Sequence, residues 1–354
     1  MRKSTRAGLL AAALLSTAVT AACGDSSNAS GGSGGGDGQV TLTLGHAFPA
    51  DHLTMDVLTP WAEEVSEATA GTVKIDIQPA GALGAGDVVY ENVVSGAQNM
   101  GMAIQGYTPG KFPLTEALDL PFLFERAEQA TQTLWDAYEE FAELQAEYDE
   151  TKVLALWATD VGDIFTAKEK VGAVEDMKGL TLRGPGPTQN ALIRKLGGSG
   201  VVMPAADLFD AVDRGVIDGL MVAGSGPRSL GMEGTLDYGL QCACYTTALF
   251  LTINKSDWEG LSDSQKAAIE ETVGGGDLSL KLAREFDAAY DGGIDALEKS
   301  GTTFTTLEGD ERARWEKVGD EVIAEWISKR SADGPAQKLF DFISEKSAEY
   351  APTN

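Results

Sequence analysis

The chain has 354 residues, 43% of them apolar, and a formal net charge of −27 at pH 7. That length and apolar fraction suit two domains with real cores. So large an acidic excess excludes nucleic acid and anionic lipid head groups as partners, because both would repel it.

The N-terminus does not belong to the fold. Arg2, Lys3 and Arg6 form a positive region ahead of an apolar run, Ala7 to Ala22, that is too short for a membrane span. It ends in Thr20-Ala21-Ala22-Cys23, small residues before a cysteine, as in a bacterial lipoprotein signal. Residues 1–22 are thus expected to be a signal peptide and Cys23 the lipidated first residue of the mature chain. Residues 23–38 read as a Gly/Ser tether that cannot bury apolar surface. The GGSGG within it matches a hydrolase nucleophile elbow only in letters, since no strand precedes it and no helix follows.

The body opens with Val40, Leu42 and Leu44 alternating with threonines, a strand, then the turn HAFPADH. Asp51 or His52 is expected to open a helix with Leu58, Trp61, Ala62 and Val65 on one face. Val73, Ile75 and Ile77 alternate again, so the body begins β-α-β, the pattern of a parallel sheet. A helix is predicted over 86–98, a buried strand over 100–104, a loop at GYTPGKFP and helices between 128 and 151.

VLALWAT, residues 153–159, is apolar enough for a central strand. A second β/α set follows, with strands at 180–183, 201–203 and 219–222 and helices at 188–196 and 205–213. ACYTTALFLTIN, residues 243–254, reads as one long strand. Ser262 can cap a helix, and Gly274-Gly275-Gly276 should interrupt the helical sequence after it. Cys242 and Cys244 lie two apart, where a bridge in a regular strand would be strained, so buried thiols are expected. With His46 and His52 the only histidines in the chain, no zinc site is expected.

The pattern is α/β: two lobes joined by crossover strands, with a helical C-terminal part. Open α/β sheets bind ligands outside the carboxyl ends of their strands, and Arg183 closes one such strand in KGLTLRGPGP. A dinucleotide enzyme is disfavoured there: Gly184 and Gly186 lack a third glycine, and Pro185 and Pro187 remove backbone donors. No Walker loop and no histidine beside a candidate nucleophile support another enzyme class.

VEDMKGLTLRGPG (174–186), GVVMPAADLFDAVDRGVIDG (200–219), LGHAFPADH (44–52), GYTPGKFPLTEALDLPFLF (106–124) and LTINKSDWEGLSDSQKAAI (251–269) together resemble the extracytoplasmic solute-binding subunits of tripartite ATP-independent periplasmic (TRAP) transporters. The likeness runs from about residue 40 to 351. It implies the two-lobed periplasmic-binding-protein, or Venus-flytrap, architecture. Lobe I is expected to comprise 39–157 and 247–275, and lobe II 158–246 and 276–354. It also implies capture of a small organic acid, delivery to TRAP membrane subunits, an extracytoplasmic location, a monomer and no cofactor.

The resemblance makes Arg183 the residue that grips a substrate carboxylate, for which a planar guanidinium is suited. A second substrate arginine, common in the family after the first crossover strand, is missing from TDVGDIFTAKEK (159–170). The stretch LMVAGSG (220–226), which includes Val222, is small and apolar. These departures favour a monocarboxylate with an apolar or aromatic body. A C4-dicarboxylate or sugar-acid binder, or a ligand-sensing protein, is the alternative. Further pocket candidates are His46, Phe48, Gln105, Tyr107, Trp157, Thr159, Phe165 and Phe209, with core packing the competing role for each aromatic. Asp160 is expected to be a solvent-exposed hinge carboxylate.

Overall fold

A computed structural model describes residues 38–352 apart from residue 204. The signal segment, Cys23 and nearly all of the tether lie outside the described residues. In chain order the strands are β1 (Val40–His46), β2 (Val73–Gln78), β3 (Met100–Ile104), β4 (Thr151–Ala158), β5 (Gly162–Thr166), β6 (Thr181–Arg183), β7 (Ser199–Val201), β8 (Gly219–Ala223), β9 (Tyr238–Tyr245), β10 (Ala248–Asn254) and β11 (Thr303–Thr306). They form one sheet in the order β2-β1-β3-β10-β4 and another in the order β11-β9-β5-β8-β6-β7.

The first sheet follows the period-2 reading. β1 pairs with β2 and β3 in parallel, with Leu42 and Leu44 facing the core. β3 and β10 are buried along their whole length because both lie inside the sheet with both faces covered. The helix Met55–Ala68 packs Leu58, Trp61 and Val65 inward, but it starts later than Asp51 or His52. Those residues instead make the turn before it: His52 N–H donates to Pro49 O at 3.2 Å and Met55 N–H to His52 O at 2.8 Å.

The predicted strand 243–254 is two strands in different sheets. β9 ends at Tyr245, residues 246 and 247 cross over, and β10 begins at Ala248. The apolar letters run on because both strands are buried. Sequence reading also missed β5 and β11 as strands. β5 is flanked by β8 and β9 and is buried throughout, which erases alternation.

β4 and β5 make the other crossover, and the two links hold each other. Thr159 N–H donates to Thr247 O at 2.9 Å, and Thr247 N–H donates to Thr159 Oγ1 at 3.2 Å. The helix Asp277–Ser300 spans both lobes: Leu278, Leu282 and Phe286 pack in the core beside the first sheet, while Ile294 and Leu297 pack in that beside the second. The three glycines before it all adopt positive φ, at 59°, 56° and 118°, and break the chain from the preceding helix as expected. Ser262 caps that preceding helix in a reciprocal box with Gln265. The last helix, Ala336–Glu349, sets Leu339 and Ile343 in one cluster with Leu134, Phe141 and Phe250, all on the first-sheet side. The expected lobe boundaries, which give 276–354 wholly to the second lobe, do not accommodate this packing.

The cysteine expectation is corrected. Cys242 and Cys244 form a disulfide across a Cα–Cα distance of 5.0 Å. A regular strand would hold residues two apart at roughly 6.6–7 Å. Here Ala243 takes φ +43°, and the β5–β9 register shifts between Gly162 and Ile164, so the strand bulges and draws the two cysteines together. Asp163 Oδ1 supports the bulge by accepting from Cys242 N–H at 2.8 Å and Ala243 N–H at 3.0 Å. Alkylation in denaturant is expected to leave Cys242 and Cys244 unlabelled until reductant is added, and to label both afterwards, as read by peptide mass spectrometry. Labelling without reductant would contradict the bridge.

Candidate functional site

The carboxyl end of β6 meets the first lobe at a cleft. Arg183 ends that strand and is only 2% exposed. Its Nε donates to Met203 O at 3.0 Å and its Nη2 donates to Tyr107 Oη at 3.0 Å, across the cleft. Its Cζ lies 6.0 Å from the Tyr107 ring centroid. Both hydrogen-bond partners are neutral, and among the described residues no carboxylate makes an ion pair with Arg183. A buried cation without a counter-charge is costly unless an anion joins it.

The cavity beside Arg183 has about 50 Å³ of free space, several times the roughly 10–15 Å³ that one water needs on the same measure. Phe48, His52, Ile104, Tyr107, Thr159, Leu249 and Phe286 line it from the first-sheet side, and Leu208, Val222, Ser225 and Leu230 from the second. The wall is aromatic: Phe48 stacks on His52 with centroids 4.4 Å apart, and Phe286 meets His52 edge-on at 6.1 Å.

The lobes touch. A Cβ on Gly106 would lie 3.0 Å from Gly186 Cα and 3.2 Å from Pro185 O, so a side chain there would press the two backbones apart by a few tenths of an ångström. Gln189 Nε2 of the second lobe also donates to Asp119 Oδ2 of the first, at 3.2 Å. This is a closed arrangement.

Of the ten residues singled out from sequence, Arg183, Phe48, Tyr107, Thr159 and Val222 meet at this cavity. The other five do not line it. His46 is buried behind the turn with both ring nitrogens unpartnered, and burial lowers its pKa to about 4. Gln105 turns to Tyr148. Trp157 and Phe165 are core side chains of the two lobes, fully buried. Phe209 is 44% exposed, on a helix whose buried residues are Leu208, Ala211 and Val212.

Sequence reasoning missed His52, Phe286, Leu249 and Ser225. Phe286 lies more than a hundred residues from the other aromatics, on a long helix, and only its amphipathic placement could have hinted at it. Asp160 is corrected as well: it is buried, and it accepts from Ser225 N–H and Ser225 Oγ–H, both at 2.8 Å. Burial raises its pKa to about 7, with the Ser225 hydrogen bonds opposing the rise.

The DctP profile, bacterial extracellular solute-binding protein family 7, matches residues 44–330. The chain belongs to that family. A surface-substituted TRAP solute-binding protein from a marine metagenome, specific for aromatic acid ligands and solved with metahydroxyphenylacetate, is 26% identical at a TM-score of 0.84, covering 89% of this chain and 100% of that one. The 2,3-diketo-L-gulonate-binding periplasmic protein YiaO of Escherichia coli is 25% identical over 73% of this chain and 78% of its own length. The outer membrane transporter protein TsaT of Comamonas testosteroni is 26% identical over 66% of this chain and 70% of its own length. The expected TRAP resemblance and two-lobed architecture therefore hold. The family's proteins are extracellular binders of small molecules, and among the described residues no helix is long and apolar enough to cross a membrane.

Two outcomes follow for this solute-binding protein. Gly106→Val should obstruct closure and weaken ligand binding about tenfold or more, with small-angle scattering of the ligand-saturated variant keeping the larger radius of the open form. Wild-type compaction on ligand addition would count against this contact. For Asp160 the sign is set by a pKa raised from 3.8 to about 7 on folding. Between these values the folded state holds a proton that the unfolded state has lost, so this group's contribution to stability falls as pH rises. His46 and His52, lowered to about 4, act oppositely below pH 6.5. The difference in Tm between Asp160→Asn and wild type should therefore shift in the variant's favour from pH 4 to 7 and level off above, as measured by calorimetry.

Proposed function

We propose that this protein captures a small monocarboxylate with an aromatic or apolar body and delivers it to TRAP membrane subunits. The observation that carries this reading is the buried Arg183 guanidinium, bonded to a carbonyl and a phenol and to no carboxylate among the described residues. A ligand carboxylate supplies the missing negative charge and matches the planar fork with two oxygens. Phe48, Tyr107 and Phe286 suit a flat apolar body, and the marine protein at 26% identity binds metahydroxyphenylacetate.

The mechanism is binding without chemistry. Arg183 belongs to the second lobe and Tyr107 to the first, so a ligand held between them stabilises the closed form over the open one and shifts the population. The closed form is the one presented to the membrane subunits. Cys23 as a lipid anchor holds the monomeric binding protein at the outer face of the cytoplasmic membrane.

Isothermal titration is expected to show binding of benzoate-class acids, and weak or no binding of succinate and malate. Arg183→Ala should cost about 2–5 kcal/mol, ~30-fold or more in Kd. Tight dicarboxylate binding with no monocarboxylate binding, or unchanged affinity in Arg183→Ala, would overturn the reading.

A further inference from the structure

His52 meets the same cavity as Arg183, from the opposite lobe. Its Nδ1 lies 3.3 Å from the backbone nitrogen of Thr54 and 2.9 Å from Thr54 Oγ1. A backbone N–H can only donate, so Nδ1 is the acceptor and carries no proton. The neutral ring must then hold its proton on Nε2. Burial, with His46 nearby, lowers the His52 pKa to about 4, Asp51 opposing only weakly, so the ring is neutral at physiological pH. Phe48 covers one ring face and Phe286 meets it edge-on, which limits the ring's freedom. Nε2 has no hydrogen-bond partner among the described residues. Unlike the two nitrogens of His46, it is not sealed in the protein interior either.

We infer that His52 presents Nε2–H to the ligand as a fixed, uncharged donor, and so selects acids that carry a hydroxyl or carbonyl oxygen remote from the carboxylate held at Arg183. The inference rests on the proposed carboxylate role of Arg183 and adds a second polar point to it. A neutral donor suits this position. It rewards an oxygen acceptor without attracting a second carboxylate as strongly as a cation would. It leaves a plain aromatic acid with one donor unmatched, and a site built to hydrogen-bond a substrate oxygen discriminates against analogues lacking it.

The test titrates benzoate and 3-hydroxybenzoate against wild type, His52→Phe, His52→Gln and Arg183→Ala, with Tm recorded for each. Wild type is expected to prefer 3-hydroxybenzoate by about tenfold. His52→Phe should bring the ratio near one by weakening 3-hydroxybenzoate more than benzoate, and His52→Gln, which restores an N–H donor, should recover part of the preference. Both acids binding with a ratio unchanged in folded His52→Phe, or a wild type without preference, would overturn the role of His52 and leave Arg183 standing. Neither acid binding wild type, or Arg183→Ala binding both as wild type does, would instead overturn the reading of the cleft.

Discussion

The cleft is organised by one uncompensated charge. The guanidinium of Arg183 is buried at a strand end, held by Met203 O and Tyr107 Oη, and among the described residues no carboxylate pairs with it. In a chain with 54 acidic side chains this is a selective arrangement. The overall field repels anions, and the local cation accepts only one that can reach it through the cleft. Because Tyr107 comes from the opposite lobe, the same hydrogen bond that orients the guanidinium also holds the lobes together.

The hinge carries its own buried polar groups. Asp160 caps the turn at Ser225, and Asp163 joins the β9 bulge to the helix Asp277–Ser300 through Tyr290 Oη–H at 2.8 Å. Asp119 receives Ala248 N–H at the start of β10 and Gln189 from the second lobe. Burial raises the pKa of all three, and each is hydrogen-bonded, as low-dielectric carboxylates must be. They tie the crossovers to both lobes, and the disulfide Cys242–Cys244 lies within the same network.

Reading from residues worked where the physics is local. Alternation in β1 and β2, the Ser262 cap and the glycine break at 274–276 all depend on neighbours a few positions away. It failed where burial on both faces removes the pattern. β9 and β10 merged into one apparent strand, and β5 was not seen. The cysteine bridge needed a positive φ at Ala243, which an alanine gives no reason to expect. Among aromatics, sequence could not separate Phe48 and Tyr107, which face the cavity, from Trp157 and Phe165, which fill cores, because an apolar ring satisfies either place.

By itself the sequence determined the α/β class, the two-lobed order and the position of Arg183 at a strand end, since strand period, turn residues and composition are properties of short segments. Only the tertiary structure decided which five of ten candidates share a cavity and that Asp160 is buried. It also decided that the helix Ala336–Glu349 packs beside the first sheet and that His52 and Phe286 join the site. Those facts depend on how segments far apart in the chain pack against one another, and local preference does not encode that meeting.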